Sequence, residues 1–268
     1  MTTLNYQQVG DGARPMVFLH GLFGQGKNFG IIAKALVERH PDLRCALVDL
    51  PNHGRSPWTD SIDYVDMAAQ VAAFIGDWAG GRPVVLLGHS MGGRTAMQVA
   101  LRHPELVERL VVADISPVQG DTSSSVFADL IRGLRHLDLG TLSSRAQADE
   151  VVAPYIPNTT IRNFLLTNLR RTEDGWAWLC NLDLIERDLD AVADWPEPGP
   201  GAQFTGPVLW IGGNLSNYIR PEYAPVMKGY FPSTQLVRIK DAGHWVHSQQ
   251  PRIFTSLVHE FLQQPSVG

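Results

Sequence analysis

Cysteine is scarce in this chain: Cys45 and Cys180 are the only two among 268 residues. They are too few for a disulfide framework and too far apart for the clustered spacing of a zinc site, so both are expected as reduced core residues. Basic charge is not in excess either. Lys and Arg number 22 against 27 Asp and Glu, a formal net charge of -5. No positive field is available to hold a phosphate backbone, and nucleic acid is excluded as an expected partner. No apolar stretch approaches the roughly 18 residues a membrane span needs. The opening MTTLNYQQVGDG lacks the basic, apolar, small-residue order of a signal peptide. A soluble, cytoplasmic protein is expected. Repeats and low-complexity tracts are missing, and no group of His, Asp and Glu shows ligand spacing, so no metal is expected.

What is present is enough apolar residue, 44% of the chain, to bury the core of one large domain or of a domain with an insertion. Short runs rich in Val, Ile and Leu at 16–20, 45–49, 84–88, 107–114, 208–212 and 235–240 alternate with helix-length segments. That alternation predicts repeated βα units around a mostly parallel sheet flanked by helices, an α/β fold. Between 118 and 200 the pattern changes. Strand-like runs vanish and amphipathic helical stretches appear at 124–137, 143–152, 160–169 and 181–193. The reading is a helical cap, 118–200, inserted into a core made of 1–117 and 201–268. The WPEPGPG run from Trp195 to Gly201 suits a linker back into that core. The insertion holds 7 Arg against 13 Asp and Glu, so the acidity of the chain resides there.

Chemistry concentrates in three loops. Gly88-His89-Ser90-Met91-Gly92 follows the apolar run PVVLLG and precedes a helical stretch. Glycines two residues to either side of a serine permit a tight strand-to-helix turn that exposes the hydroxyl, and the following helix aims its positive end at a reacting carbonyl. Ser90 is therefore the expected nucleophile and the Met91 N–H an expected oxyanion donor. His20-Gly21-Leu22-Phe23-Gly24 could aim a second N–H at the same oxygen, with Leu22 the first choice and Phe23 the second. A serine needs an imidazole to take its proton. Of nine histidines only His244, in Asp241-Ala242-Gly243-His244-Trp245, follows a glycine after a late strand and completes the order Ser, acid, His.

At these residues the chain resembles the alpha/beta-hydrolase fold, and within it the small-esterase group of the YbfF and ABHD11 type. HGLFG, the D-x-x-NHG-x-S run at 49–56, GHSMGG, VVADISP at 111–117, FLLTNL at 164–169, WIGGN at 210–214 and AGHWVH fall in the expected order. GHSMGG and AGHWVH are shared by many hydrolases; NHG, DISP and GGN-x-S together point to the subgroup. The resemblance implies a Ser90 nucleophile, a His244 base, a helical cap over the site and no cofactor. One departure matters. The loop after VLWIGG reads NLSNYIRP and has no carboxylate, although most hydrolases of this fold carry the acid there. Asp114, at the end of the preceding strand, is the natural substitute, and the resemblance implies the same position. Asp49 precedes Ser90 and suits the PNHGRS turn, while Asp241 is too close to His244 along the chain to face its ring.

Phe23, Phe164, Trp178 and Trp245 are expected to contact an apolar acyl group under the cap. The function expected is cofactor-free hydrolysis of esters or thioesters of small to medium acyl groups. Two other readings stay open: a carbon–carbon bond hydrolase or lyase, for which Arg132, Arg162, Arg170 and Arg171 would supply anion recognition, and a ligand-binding receptor that turns over slowly.

Overall fold

The computed structural model describes residues 3–120 and 126–265. The first half runs β1 (Tyr6–Val9), β2 (Arg14–Leu19), α1 (Gly30–Arg39), β3 (Leu43–Val48), α2 (Tyr64–Ala79), β4 (Val84–His89), α3 (Met91–Arg102) and β5 (Val107–Ala113). The inserted segment follows with α4 (Val126–Leu134), α5 (Arg145–Val152), α6 (Thr159–Leu166), β6 (Leu169–Thr172), β7 (Gly175–Trp178), α7 (Leu182–Arg187) and α8 (Leu189–Ala193). The chain closes with β8 (Val208–Gly213), α9 (Ala224–Tyr230), β9 (Thr234–Ile239), α10 (Val246–Gln249) and α11 (Pro251–Gln263).

Seven strands form one sheet in the order β1-β3-β2-β4-β5-β8-β9. Only β1 is antiparallel to its neighbour. The six apolar runs expected as strands are these parallel strands, each displaced by no more than two residues at its ends. Their composition follows from burial on both faces. In β4, Val84 and Leu86 point into one apolar cluster while Val85 and Leu87 point into the other, the two-residue period of a strand. Helices α1 and α11 cover the second face, and α2, α3 and the inserted segment cover the first. The Asp63 side chain caps α2 by accepting from the Val65 and Asp66 N–H groups, satisfying donors the helix itself cannot.

Two elements depart from expectation. β1 was not anticipated: its YQQV sequence is polar and mostly exposed, so it carries no apolar run and owes its place to edge pairing with β3. The insertion is not purely helical, because β6 and β7 make a two-stranded hairpin. LRRT and GWAW are too short and too little buried to announce strands by pattern. The helices otherwise fall where the periodicity predicts, with a break at Asp188 between α7 and α8; positions 124 and 125 of the first predicted helix lie outside the described residues.

From β2 the chain steps to β3 on one side, then returns to lay β4 on the other. Loops leaving the carboxyl ends of β2 and β4 therefore diverge at a topological switch point, where open α/β sheets leave a crevice.

Candidate active site

Ser90 leaves β4 with φ 52 and ψ -117, a conformation an L-residue adopts only when its surroundings enforce it. The enforcement is visible in the two flanking glycines. A Cβ on Gly88 would lie 2.1 Å from the Gly92 carbonyl oxygen, and one on Gly92 would lie 2.4 Å from that of Leu19. Any larger residue would push the turn open, which is the physical content of the G-x-S-x-G spacing.

His244 reaches this turn from the loop after β9. Its Nε2 lies 2.9 Å from Ser90 Oγ and its Nδ1 2.8 Å from Asp114 Oδ2. A carboxylate only accepts, so Nδ1 carries the proton and Nε2 is left to accept from the serine hydroxyl. Tyr218 stacks on the imidazole with centroids 4.1 Å apart, and the His244 carbonyl accepts from His89 Nε2. Ring and backbone are thus both held.

Asp114 sits at the end of β5, beside the elbow, because β4 and β5 are neighbours with His89 opposite Ala113. It is fully buried and has φ 50. Its second oxygen accepts from the Gly213 N–H at 2.9 Å, and Ser216 donates its hydroxyl to Oδ2. The loop that lacks a carboxylate instead supplies donors to one from the adjacent strand. Both Gly213 and Ser216 belong to the GGN-x-S run, which by sequence marks a subgroup signature but no partner for Asp114. The competing carboxylates lie elsewhere. Asp49 accepts from the N–H groups of Gly26 and Arg55 and from Asn5, anchoring the turn, and Asp241 is exposed.

The loop after β2 abuts the serine: a Cβ on Gly21 would come within 3.2 Å of Ser90 Cβ. Among the described residues, neither the Leu22 nor the Met91 N–H donates to a protein acceptor. The Phe23 N–H is engaged, donating to His53 Nε2 at 3.2 Å. This leaves Leu22, not Phe23, with a free amide next to the elbow.

A cavity of about 480 Å³ opens at Ser90, walled by Leu22, Tyr64, Ile115, Phe127, Leu189, Tyr218 and Tyr223 among others. None of the four aromatics expected to contact an acyl group lines it. Phe23 is buried one layer behind, its ring 6.3 Å from that of Phe127. Trp245 lies edge-on to His244 and Phe164 packs 6.4 Å from Trp245, so both border the imidazole loop. Trp178, in β7, faces a separate cleft beside Trp58 and Arg170. Nearness in sequence to a motif did not fix which way these rings point.

Around this site four imidazoles are buried. Desolvation lowers the pKa of His20 and His89, and takes His53 and His247 from 6.5 to about 3. They are neutral when folded and would bind protons on unfolding below about pH 6.5. Their contribution to stability is full above that pH and is lost progressively as pH falls toward the folded values. Thermal unfolding followed by circular dichroism should therefore show Tm falling from about pH 6.5 downward; a Tm constant to about pH 4 would contradict the burial of these rings.

Among the described residues no helix is long and apolar enough to cross a membrane, and no group of three or more His, Cys, Asp or Glu could hold a metal ion. Comparison with known proteins gives a consistent result. The sn-1-specific diacylglycerol lipase ABHD11 of Mus musculus is 38% identical over 258 residues, covering 94% of this chain and 82% of its own length. The ABHD11 of Xenopus laevis is 39% identical over 256 residues, covering 93% of this chain and 80% of its own. Among solved structures, a marine microorganism esterase superposes with a TM-score of 0.92 at 36% identity, covering 97% of this chain and 100% of its own. The alpha/beta hydrolase family profile matches residues 16–256, a span that takes in the elbow, the strand-end aspartate and the histidine loop, and the chain belongs to that family.

Proposed function

We propose that this protein is a serine hydrolase of carboxylic esters and thioesters with small to medium acyl groups, working through a Ser90, His244, Asp114 triad. The observation that carries this reading is the continuous hydrogen-bonded row from Ser90 Oγ through both His244 nitrogens to Asp114. Ser90 Oγ attacks the acyl carbon while His244 Nε2 takes its proton. The carbonyl oxygen becomes an oxyanion facing the free N–H groups of Met91 and Leu22. His244 returns the proton to the departing alcohol or thiol as the acyl–oxygen or acyl–sulfur bond breaks. Water then repeats the sequence on the acyl-enzyme, giving the acid and restoring the serine.

The segment 118–200 acts as the cap in this reading, since Phe127, Leu189 and Val192 roof the cavity. Recognition of a dienoate anion is disfavoured by where the four arginines went. Arg162 pairs with Asp149 and Arg132 with Asp129, Arg171 lies over Trp176, and none lines the cavity. Arg94 and Arg220 do line it, but Arg94 donates to the carbonyls of Val118, Val192 and Asp194, and Arg220 donates to the Asn217 carbonyl and pairs with Glu222. The two cysteines are buried, with thiol pKa values pushed up to about 12 by desolvation, so neither competes with Ser90 as a nucleophile.

A panel of chromogenic esters and thioesters of increasing acyl length, with an acylglycerol included because of the named mouse relative, tests the substrate class. Neutral acyl groups that fit the cavity should be cleaved, with kcat/KM falling once the chain outgrows it. Cleavage of a carbon–carbon bond in a dienoate with no ester turned over would overturn the proposal.

A further inference from the structure

The D-x-x-NHG-x-S and FLLTNL runs contribute nothing to the hydrogen-bonded row, yet both converge on the loop that carries Leu22. Three consecutive peptide units of this loop are each held by a buried side chain. The Gly21 carbonyl, in the same planar peptide as the Leu22 N–H, accepts from His20 Nδ1 at 2.8 Å and from the Gly24 N–H at 2.9 Å. In a trans peptide the N–H points opposite the carbonyl, so these bonds fix the direction of the Leu22 N–H. The next unit is held by the Phe23 N–H donating to His53 Nε2 at 3.2 Å. The one after is held by Asn168 Nδ2 donating to the Phe23 carbonyl at 2.7 Å. Phe23 itself has φ 59, a left-handed conformation that costs a bulky residue energy and persists only under such constraint.

The holding groups are themselves fixed. His20 Nε2 accepts from the Leu50 N–H, and His53 Nδ1 donates to the Pro51 carbonyl, which sets both tautomers. Asn168 Oδ1 accepts from Gln25 Nε2, which sets the orientation of the amide. All three residues are at most 1% exposed. His20 and His53 belong to the core, whereas Asn168 follows α6 and belongs to the inserted segment.

Building on the Ser90 reading, we propose that His20, His53 and Asn168 are positioning residues that aim the Leu22 N–H at the oxyanion, and that Asn168 makes this donor depend on the inserted segment being seated. None of the three touches the reacting atoms. Their effect should appear in the rate of forming a tetrahedral anionic adduct and not in ground-state binding, since a donor aimed at the oxyanion acts on charge that develops only in the transition state.

The test is to compare the unmodified protein with Asn168→Asp, His53→Leu and His53→Gln for fluorophosphonate labelling rate, kcat and KM on one ester, and Tm. Asn168→Asp keeps the shape but replaces the donor with an acceptor. His53→Leu removes the acceptor for the Phe23 N–H, and His53→Gln restores an oxygen that can take it. Asn168→Asp and His53→Leu should each lower labelling rate and kcat by about 10- to 100-fold, as small displacements of catalytic groups do, with KM within about twofold. His53→Gln should recover most of the loss. Labelling as fast as the unmodified protein in both damaging variants, or losses that merely track the folded fraction, would overturn the clamp and leave Ser90 as nucleophile. Absence of labelling in the unmodified protein would overturn the Ser90 reading and the clamp with it.

Discussion

Replacing Ser90 with alanine should lower kcat for a neutral ester by about 10⁶-fold, the scale seen when the nucleophile of a serine–histidine pair is removed. The strained turn should survive the change. Ser90 is held by its neighbours, with its N–H donating to the Ala113 carbonyl and its carbonyl accepting from the Arg94 N–H, and alanine keeps both bonds. The hydroxyl's other partner is His244 Nε2, at the 7% exposed mouth of the turn, where water can replace it. Purified Ser90→Ala protein should therefore match the unmodified Tm within a few degrees while its turnover falls to the level supported by binding and the two backbone donors. Parallel kcat and Tm measurements check this; substantial hydrolysis by the folded variant would remove Ser90 from the mechanism.

The second large effect is expected at Asp114. Asp114→Asn should reduce kcat by about 10⁴-fold, because an amide beside His244 Nδ1 favours the tautomer that leaves Nε2 protonated and unable to take the serine proton. Three donors converge on this carboxylate, from Gly213, Ser216 and His244, and an asparagine oxygen can still serve one or two of them. Some stability is lost, but the fold should persist. Asp49→Asn should act differently. Its carboxylate satisfies two backbone N–H groups and the Asn5 amide, so the change should lower Tm by more than it lowers kcat. Asp241→Asn, at an exposed site, should alter little. Near-normal turnover in folded Asp114→Asn, together with a large loss in either other variant, would move the acid elsewhere.

How much of this was legible in the sequence differs from element to element. The parallel strands announced themselves because strands buried on both faces must be almost wholly apolar, as VVLLG in β4 and LVVA at the end of β5 are. The elbow was legible because backbone crowding at Gly88 and Gly92 leaves no substitute for glycine. Asp114 is the expected acid because the loop after β8 has no carboxylate, the resemblance implies a strand-end position, and β5 is expected beside β4. The hairpin of β6 and β7 was hidden because a short, half-buried pair stabilised by its neighbours needs no distinctive pattern. The aromatic assignments missed the cavity for a related reason. Periodicity tells that Phe164 or Trp178 sits on an apolar surface, but which surface is decided by the packing of the inserted segment, a long-range property. Ser216 was invisible as a functional residue: a hydroxyl two residues beyond GGN gains meaning only once it is seen to donate, beside His244, to Asp114 Oδ2. His53 and Asn168 stood in motifs that were recognised as signatures, yet their common target, the Phe23 peptide, appears only in three dimensions.

The central claim is that Ser90 forms a covalent intermediate through its hydroxyl. Peptide mapping by mass spectrometry after treatment with a fluorophosphonate tests it most directly. A single adduct should appear on the peptide containing Ser90, hydrolysis of a neutral ester should decline in step with its formation, and Ser90→Ala should take no label. An adduct on any other residue, or full ester hydrolysis by protein whose Ser90 is quantitatively modified, would contradict it.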